Sequence, residues 1–384
     1  MAEILLVGAR DDALTNLQRY VAAQEPDWSV VHSLDNQGAL ERLRKRSSDI
    51  VLAGMETEQC ELLFSEVGET APGAIRLALS AAPAHLIRGA HQILARQSEL
   101  DDLHQRLRAA VRVSSRSAGR RRLQRIISRF QEVPSPPQLY FDIREQLDSA
   151  AGTSTSMAEI ASKDPALVAR TLQIANSGFY ARSGTVGDLV DAITLLGTET
   201  LLGLVLAAHL FSGMPPPGLK LDMLWRHSFS VSQLAREICR GEGGKAGEAS
   251  HSFLAGLLHD IGLIVLFQNE PADYLPMWQA AQGDEDTLVD LEREAFEISH
   301  AELGSMVLTL WNLPERVVSA VAASHAGDLA PTDCRVSRAV LAAEWLLGRD
   351  CPATLDTLPA PLADTSAATL ASWVDARSRL ESGS

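Results

Sequence analysis

The stretch Gly-Leu-Leu-His-Asp-Ile-Gly at residues 256–262 ends an apolar run with an adjacent histidine and aspartate, His259 and Asp260. Imidazole nitrogen and carboxylate oxygen both bind divalent cations, so adjacent His and Asp side chains are natural ligands for one metal ion. Residues of the same ligand types precede and follow the pair: His227, His300, His325 and Glu344. The main question posed by the sequence is whether these groups form a working metal site or the remnant of one inside a binding module.

Length and composition restrict the class of protein. A chain of 384 residues is too long for one ordinary hydrophobic core, so two or three domains are expected. The formal net charge of −15 argues against general affinity for nucleic acid or an anionic membrane. No basic segment precedes the first apolar run, and the apolar stretch 201–211 is far shorter than the ~20 residues of a membrane span. We therefore expect a cytoplasmic protein without a membrane segment.

The first 112 residues alternate short apolar runs with amphipathic patterns. The apolar runs predict strands at 4–7, 28–31, 49–53, 74–79 and 92–95, and the patterns between them predict helices at 11–23 and 38–45. Continuous apolar strands alternating with helices predict a parallel sheet covered on both faces, as in an α/β doubly wound domain. Function in such a sheet is expected at the carboxyl ends of the strands.

This region, residues 1–112, resembles a response-regulator receiver domain. The stretch 49–55 (Asp-Ile-Val-Leu-Ala-Gly-Met) resembles the strand that ends in the phosphoacceptor aspartate, and Ser80 stands where the family has Ser or Thr. The segment 90–97 resembles the one that carries the family's Lys-Pro pair. The resemblance implies a signalling domain of the two-component type.

The receiver's chemical groups are replaced in this sequence. Gly54 occupies the phosphoacceptor position, Gly8 and Ala9 stand where the cation-binding acidic pair belongs, and Arg96 replaces the lysine. Aspartyl phosphorylation needs a carboxylate nucleophile and a cation to offset the phosphate charge. Asp11 is interpreted as the N-cap of the following helix rather than as part of a shifted acidic pair. We therefore predict a non-phosphorylatable pseudo-receiver that serves dimerisation or docking.

An arginine-rich connector follows, predicted as a linker helix over 113–133. One interpretation is a patch for an anionic partner such as nucleic acid, and the other is a solvated helix that faces acidic domains of the same protein. No aromatic residue lies between Gln105 and Ser128 to stack on bases, which favours the second interpretation.

From residue 134 onward the pattern is helical throughout. Ser156-Met157-Ala158-Glu159 predicts a capping box, and Asp164-Pro165 predicts an N-cap followed by proline at the first helical position. The candidate ligands fall on or beside predicted helices at 224–240, 251–267, 299–311, 315–325 and 335–347. A further helix is predicted at 286–296. Residues 134–348 are thus expected to form an all-α domain, followed by a tail, 349–384, that shows no chemistry.

Residues 134 to about 326 resemble an HDOD domain, a divergent relative of the HD and HD-GYP phosphohydrolases. The stretches that carry the resemblance are 134–137, 164–167, 191–197, 224–228, 259–262, 300–304 and 311–314. The resemblance implies that His227, His259, Asp260 and Glu344 hold one divalent cation (Mg, Mn, Fe, Ni or Zn). It marks His300 and His325 as additional ligands of a two-metal relative.

The sequence departs from the hydrolytic relatives in three places near these ligands. Ala326 follows His325 where the relatives have a second histidine, Leu263 replaces a lysine that would hold a phosphate, and the Gly-Tyr-Pro signature is absent. Glu344 stands where the family usually has Asp. No residue is assigned a catalytic role on this basis.

Each candidate ligand also has a purely structural interpretation. His259 and Asp260 would then be a buried hydrogen-bonded pair that fixes helix packing, and His227 a satisfied core histidine. His300 follows a predicted N-cap, and His325 ends a predicted helix, where a cation suits the helix dipole. Glu344 lies in an apolar helix, where a carboxylate requires a partner.

The leading hypothesis is a cytoplasmic, bacterial-type signal-transduction protein that couples the pseudo-receiver to a regulatory HDOD module. Its expected partners are other signalling proteins and a second copy of itself, with a nucleotide second messenger as a further candidate; nucleic acid and membrane are not expected. The alternative is a metal-dependent phosphohydrolase or phosphodiesterase acting on a nucleotide or cyclic dinucleotide. A third hypothesis is nucleotide sensing without turnover.

Overall fold

The protein is described here by a computed structural model. The described residues are 2–9, 11–81, 87–115, 134, 136–149, 152–176, 185–211, 218–325, 334–348, 354 and 358–382. The chain divides into two compact units. The first comprises Met1–Ser135 with the short segments Phe296–Ile298 and Met306–Leu313, and the second comprises the rest of the chain.

The first unit contains a five-stranded parallel sheet with strand order β2-β1-β3-β4-β5. Its strands are β1 (Glu3–Val7), β2 (Ser29–Ser33), β3 (Ile50–Ala53), β4 (Ile75–Ser80) and β5 (Gln92–Ala95). Its helices are α1 (Asp12–Gln24), α2 (Asn36–Lys45), α3 (Thr57–Thr70) and α4 (Leu100–Ser115). The parallel sheet and all five predicted strands are confirmed, and this strand order is one of the common doubly wound orders.

Side-chain alternation along the strands builds a core on each face of this sheet. Leu5, Val7 and Val51 point into a cluster with the buried residues of α2 and α3. Their neighbours in sequence, such as Leu6 and Leu52, are equally buried and therefore lie on the opposite face. A strand buried on both faces reads as a continuous apolar run, which is why the sequence identifies it.

The second unit is all-helical in its described residues. Its helices are α5 (Gln138–Asp148), α6 (Ser154–Ala161), α7 (Pro165–Ala175), α8 (Leu189–Leu196), α9 (Thr198–Leu210), α10 (Leu221–Gly241), α11 (Ala246–Leu258), α12 (Ile261–Asn269), α13 (Pro271–Ala281), α14 (Glu285–Phe296), α15 (His300–Leu310), α16 (Glu315–Ala322), α17 (Arg335–Leu347) and α18 (Ala367–Ser382). The last residue of α14 and residues 306–310 of α15 belong to the first unit. The predicted all-α character of this region is confirmed.

Several predicted boundaries are wrong in detail. The single helix predicted over 251–267 is two helices, α11 and α12, which meet at His259 and Asp260. The helix predicted over 315–325 ends at Ala322, so His325 lies in the turn beyond it. Helix α13 was not predicted; it begins at Pro271 and contains Pro276, a residue that is unfavourable inside a helix. The 116–133 part of the predicted linker helix lies outside the described residues.

Helix starts follow the capping chemistry of the sequence. Asp11 caps α1, with its side chain accepting the Leu14 amide at 2.9 Å, so its N-cap interpretation is confirmed. Asp164 caps α7 and accepts the amides of Ala166 and Leu167, also as predicted. The predicted cap at Ser156 is wrong, since Thr153 is the N-cap of α6 and Ser156 is the third residue of its capping box.

Two apolar segments have the length and hydropathy of a membrane span. One is residues 246–269, and the other is α8 with α9, which contains most of the apolar stretch 201–211 but is bent by 109° between the two helices. The most apolar window of residues 246–269 is 89% buried inside the protein, and that segment is broken at the His-Asp pair. A core helix pair of the all-helical unit accounts for these properties.

Candidate functional site

The break between α11 and α12 creates the centre of the candidate site. His259 ends α11 and Asp260 caps α12, so two adjacent side chains leave the chain where the helix direction changes. Glycines allow the surrounding helices to approach this point. A Cβ on Gly256 would lie 2.8 Å from Ser232 Cα of α10, and one on Gly262 would lie 1.9 Å from the His300 carbonyl oxygen.

One group of ligand atoms gathers around His259. The His227 Nε2 atom of α10 lies 3.1 Å from Glu344 Oε2 of α17, and His259 Nε2 lies 3.2 Å from the same oxygen. Asp260 adjoins this group, with Oδ1 at 3.1 Å from His259 Nε2 and Oδ2 at 3.8 Å from His227 Nε2. Ligand atoms of His227, His259 and Glu344 all lie within 4.8 Å of one another, which fits the ligand shell of one cation.

A second group lies on the other side of Asp260. Its Oδ1 atom is 3.4 Å from His325 Nε2 and 3.8 Å from His300 Nε2. The His325 Nδ1 atom is in turn 3.9 Å from Oε2 of Glu285, at the start of α14. Glu285, His300 and His325 also offer three ligand atoms within 4.8 Å of one another.

Hydrogen bonds orient two of the imidazoles. The Nδ1–H of His259 donates to the Gly256 carbonyl at 2.7 Å, which directs Nε2 into the cluster. The Nδ1–H of His300 donates to the fully buried Glu292 at 2.8 Å, and the His300 amide donates to the same carboxylate. Tyr274 donates its hydroxyl proton to Glu292 from α13. Such outer partners set the tautomer of metal-binding histidines.

Charges inside the cluster shift the pKa values of its members. Burial acts to lower the pKa of His227, but Glu344 and Asp260 outweigh it and raise that pKa to about 9. Burial also acts to lower the pKa of His300, but the Glu292 carboxylate outweighs it and raises that pKa to about 9. Burial acts to raise the pKa of Asp260 and of Glu344, but the neighbouring imidazoles hold both well below their usual range. The carboxylates are therefore ionised.

The donor set fits a divalent cation. The His259 Nε2, His300 Nε2, Glu344 Oε2 and Glu285 Oε2 atoms are buried, and none makes a hydrogen bond of good geometry to a described residue. Buried polar atoms normally have hydrogen-bond partners. His259 Nε2 and Glu344 Oε2 of the first group instead face each other at 3.2 Å, and ligand atoms within each group lie within 4.8 Å of one another, which is a spacing that a shared cation would satisfy. Mixed imidazole and carboxylate donors match the preferences of Mn, Fe, Co and Zn.

All six residues singled out in the sequence come together at this point. His227, His259, Asp260 and Glu344 form the first group, and His300 and His325 belong to the second. Sequence analysis missed Glu285, Glu292 and Tyr274. A signal for the two glutamates exists, because positions 285, 289, 292 and 296 share one face of α14, on which Val289 and Phe296 are buried.

The carboxyl edge of the sheet shows no comparable ligand cluster among the described residues. Gly54 follows β3 and is buried, and a Cβ there would lie 3.0 Å from the Leu14 side chain. Arg96, after β5, forms an ion pair with Asp11 and donates to the Gly54 carbonyl oxygen at 3.3 Å. Whether this sheet is a receiver domain stays a prediction.

An all-helical domain with an adjacent His-Asp pair at a helix junction defines a protein of the HD superfamily. The chain belongs to the HDOD domain family, whose model matches residues 133–327, just over half of the chain. The family match confirms the HDOD resemblance. Glu344 lies beyond the matched range.

Comparisons with individual proteins agree with this fold. An uncharacterized protein of Treponema pallidum (strain Nichols) is 22% identical over 208 residues, which are 54% of this chain. The chain spans only 40% of the length of that relative. The crystal structure of an HDOD domain protein from Geobacter sulfurreducens aligns with a TM-score of 0.51 and 23% identity, over 67% of this chain and 87% of the other. That of a "Putative phosphohydrolase" from Shewanella amazonensis SB2B aligns with a TM-score of 0.52 and 21% identity, over 67% of this chain and 98% of the other.

Proposed function

We propose that this chain is a cytoplasmic signal-transduction protein whose HDOD domain binds a divalent cation and acts as a regulatory module without hydrolysing a substrate. The receiver-like sheet in front of it is proposed to work without aspartyl phosphorylation. The expected partners are other signalling proteins, including a second copy of the chain.

One observation carries the proposal. In the described part of the chain, the carboxylates of the cluster form ion pairs with histidines only: Asp260 and Glu344 with His227 and His259, and the others with His300 and His325. Phosphoester-binding sites commonly combine a metal ion with a Lys or Arg that binds the anionic oxygens, and here no ion pair in the described residues brings such a side chain to the cluster carboxylates. Leu263 follows the His-Asp-Ile-Gly stretch, at the position where the hydrolytic relatives have a lysine, and it is apolar and buried.

The ligands suit a structural or sensing role because they come from separate helices. His227 belongs to α10, the His-Asp pair joins α11 to α12, and Glu344 belongs to α17. A divalent cation supplies a positive charge that binds all of these donors at once. Its occupancy would therefore fix the relative positions of the four helices, which is a suitable device for transmitting a signal.

The replaced groups of the sheet support the proposal that it works without aspartyl phosphorylation. Gly54 has no carboxylate to accept a phosphoryl group, and Arg96 is occupied by Asp11 and the Gly54 carbonyl. Aspartyl phosphorylation without a nucleophile has no chemical route. The sheet is thus proposed to act through its surface.

A second function, metal-dependent hydrolysis of a phosphoester, is favoured by a different observation. The His227 side chain is 32% exposed, whereas His259 is fully buried, so a cation in the first group would face solvent on the His227 side. An open coordination position facing solvent is a property of catalytic rather than structural metal sites.

Metal analysis combined with a hydrolysis assay distinguishes the two functions. The purified chain is reconstituted with Mn²⁺, its metal content is measured, and it is incubated with bis-p-nitrophenyl phosphate and with a cyclic dinucleotide. We expect at least about one equivalent of bound metal and no cleavage above that of His259→Ala. Metal-dependent cleavage that is lost in His259→Ala would establish the hydrolase instead. A metal content under about a tenth of an equivalent would contradict metal binding in either role.

A further inference from the structure

Arg170, on α7, carries a guanidinium group without an acidic partner among the described residues. Its Cζ atom lies 4.4 Å from the centroid of the Trp225 ring of α10, so the group rests on the indole. The Nη1 atom is buried without a hydrogen-bond partner, and the residue as a whole is partly exposed. Contact with an aromatic ring holds an arginine in place and leaves its N–H donors available to a carboxylate. Arg170 is therefore available to an anionic partner.

Trp225 and Phe229 form a partly exposed aromatic surface beside Arg170. They lie four residues apart on α10, and their rings are nearly parallel, with an interplanar angle of 8° and a centroid distance of 6.1 Å. The buried rings of Phe211 and Phe253 pack edge-on behind them, at centroid distances of 5.4 Å from Trp225 and 6.4 Å from Phe229. The two exposed rings are thus held in place, and rigid aromatic side chains of this kind are enriched in protein interfaces.

Arg226 supplies a second cation to this surface. It follows Trp225 and lies three residues before Phe229 on α10, so it is a neighbour of the Phe229 ring on the helix surface. It is exposed, and no ion pair joins it to a described acidic residue. We refer to Arg170, Trp225, Arg226 and Phe229 as the aromatic–arginine face.

Helix α3 of the first unit presents a face of complementary character. Glu58, Leu62 and Glu66 are spaced four residues apart, which places them on one side of the helix. Leu62 is 63% exposed, and its apolar side chain lies between the two carboxylates. Both glutamates are exposed, and neither forms an ion pair with a described basic residue. We refer to these three residues as the acidic face.

We propose that the acidic face of one copy of the chain docks on the aromatic–arginine face of a second copy. Leu62 packs on the Trp225 and Phe229 rings, and the two glutamates pair with the two arginines. The contact rests on the proposed function, in which a second copy is a partner, and it identifies the surfaces that meet. The cation cluster takes no part in it, so the contact and metal binding are tested separately.

Each face supplies what the other lacks in the described residues. Two carboxylates balance two guanidinium groups, and a guanidinium can donate two parallel hydrogen bonds to one carboxylate. An apolar side chain seated on the rings excludes water from the pairs around it, which strengthens their attraction. Isolated surface ion pairs contribute little, so the combination of charge with apolar contact gives this docking its affinity and specificity.

Sedimentation equilibrium of the full chain, over a range of protein concentrations, measures the association. We expect the wild type to associate reversibly. Arg170→Glu places like charges opposite each other and should raise the dissociation constant by about tenfold or more. Leu62→Ser removes the apolar contact and should raise it by about tenfold as well. Leu34→Ser is the matched control, because Leu34 is 62% exposed and lies outside both faces.

A mixture of two defective variants tests whether the two faces contact each other. Arg170→Glu retains the acidic face, and Glu66→Arg retains the aromatic–arginine face, so each variant supplies the face that the other has lost. The altered residues also form a pair of reversed charge. We expect each variant alone to associate weakly and the mixture to associate as the wild type does. Arg44→Glu, at an exposed position of α2, is the control for the change in charge and should behave as the wild type.

The outcomes separate this contact from the proposed cation binding. A wild type that is monomeric at every concentration overturns the contact and leaves the cation-binding HDOD module standing. Association that survives either Arg170→Glu or Leu62→Ser places the interface elsewhere, and a mixture that fails to associate shows that the two faces do not meet. The metal content of every variant should equal that of the wild type, and thermal melts verify that each variant is folded.

Discussion

Gly262 decides whether the ligands can meet. One residue, Ile261, separates it from the His-Asp pair. The His300 backbone lies so close to it that any side chain would overlap the His300 carbonyl oxygen. The same contact brings the start of α15 beside the start of α12, which places His300 next to Asp260. The second glycine of the sequence pattern is thus a requirement of helix packing.

Gly262→Ala should separate α12 from α15. Overpacking a rigid backbone contact costs typically 1–3 kcal/mol and occasionally more, and here the free energy of unfolding should fall by about 3 kcal/mol. Bound Mn²⁺ should also decrease, since His300 is displaced from Asp260. Urea denaturation and metal content measure the two effects. Gly247→Ala is the control, because a Cβ there meets nothing within 4 Å; equal losses in both variants would contradict the packing argument.

Gly54→Asp tests the interpretation of the sheet as a receiver that has lost its chemistry. The new side chain must displace the buried Leu14, which lies 3.0 Å from the position of its Cβ, so we expect about 1–3 kcal/mol of destabilisation. Phosphorylation should not return, because the acidic groups that would hold a cation beside it are absent at Gly8 and Ala9. Incubation with acetyl phosphate and Mg²⁺, read by intact mass, checks this. Hydroxylamine-labile phosphate on the wild type would show that Gly54 does not stand at the acceptor position.

At the scale of elements, the sequence predicts helices and strands well where residues close in sequence determine them. The strands β1 and β3 are buried on both faces and are therefore continuous apolar runs, as in Ile50–Ala53. Asp164-Pro165 identifies the start of α7, because the aspartate caps the helix and proline fits the first turn. These features depend on neighbouring residues alone.

The elements that the sequence does not predict depend on contacts between distant residues. The break at His259 and Asp260 interrupts an apolar run that continues on both sides, and tertiary packing at Gly256 and Gly262 accounts for it. Glu285 and Glu292 lie in a helix rich in acidic residues, where most carboxylates are exposed. The tertiary structure distinguishes Glu285 from its neighbours, because its Oε2 atom lies 3.9 Å from His325 Nδ1.

Helix α18 belongs structurally to the candidate site, although the tail showed no chemistry in the sequence. It packs against α10 and α17, the helices that carry His227 and Glu344. Trp373 is 2% exposed and donates its Nε1–H to Glu242 at 3.1 Å, and the Arg338 guanidinium lies 5.4 Å from its ring centroid. Arg377 donates to the Leu346 carbonyl of α17 at 2.7 Å.

Trp373→Ala should therefore weaken both stability and metal binding. Removing a buried tryptophan costs about 3–5 kcal/mol through lost burial and the cavity left behind. The looser contact with α10 and α17 should lower the affinity for Mn²⁺ as well. Thermal melts with and without Mn²⁺ measure both effects. Val374→Ala, at a more exposed position of the same helix, should change neither, and an unchanged Mn²⁺ affinity in Trp373→Ala would show that α18 does not support the ligands.

At the scale of the whole molecule, the two units differ in the charged groups that could respond to a signal. The first presents a parallel sheet, and Arg96 and Asp11 form an ion pair at its carboxyl edge. The second gathers four carboxylates and four imidazoles in its core, where their charges are balanced only by one another in the described residues. Under the proposed function, a divalent cation would bind at this charged cluster, so its occupancy is the signal that we expect the second unit to respond to.

Metal binding should be visible as local stabilisation of the second unit. At a free Mn²⁺ concentration about 100 times the dissociation constant, the native state gains about 2.7 kcal/mol from mass action. Hydrogen exchange of peptides covering α10 to α12 and α14 to α17 should slow accordingly, and EDTA should reverse the effect. The β1–β5 peptides, which carry no cluster ligand, are the internal reference, and Asp260→Asn is the control variant. Exchange that slows equally in Asp260→Asn, or not at all in the wild-type ligand peptides, would place the cation elsewhere, because Asp260 lies within 3.8 Å of histidines of both ligand groups.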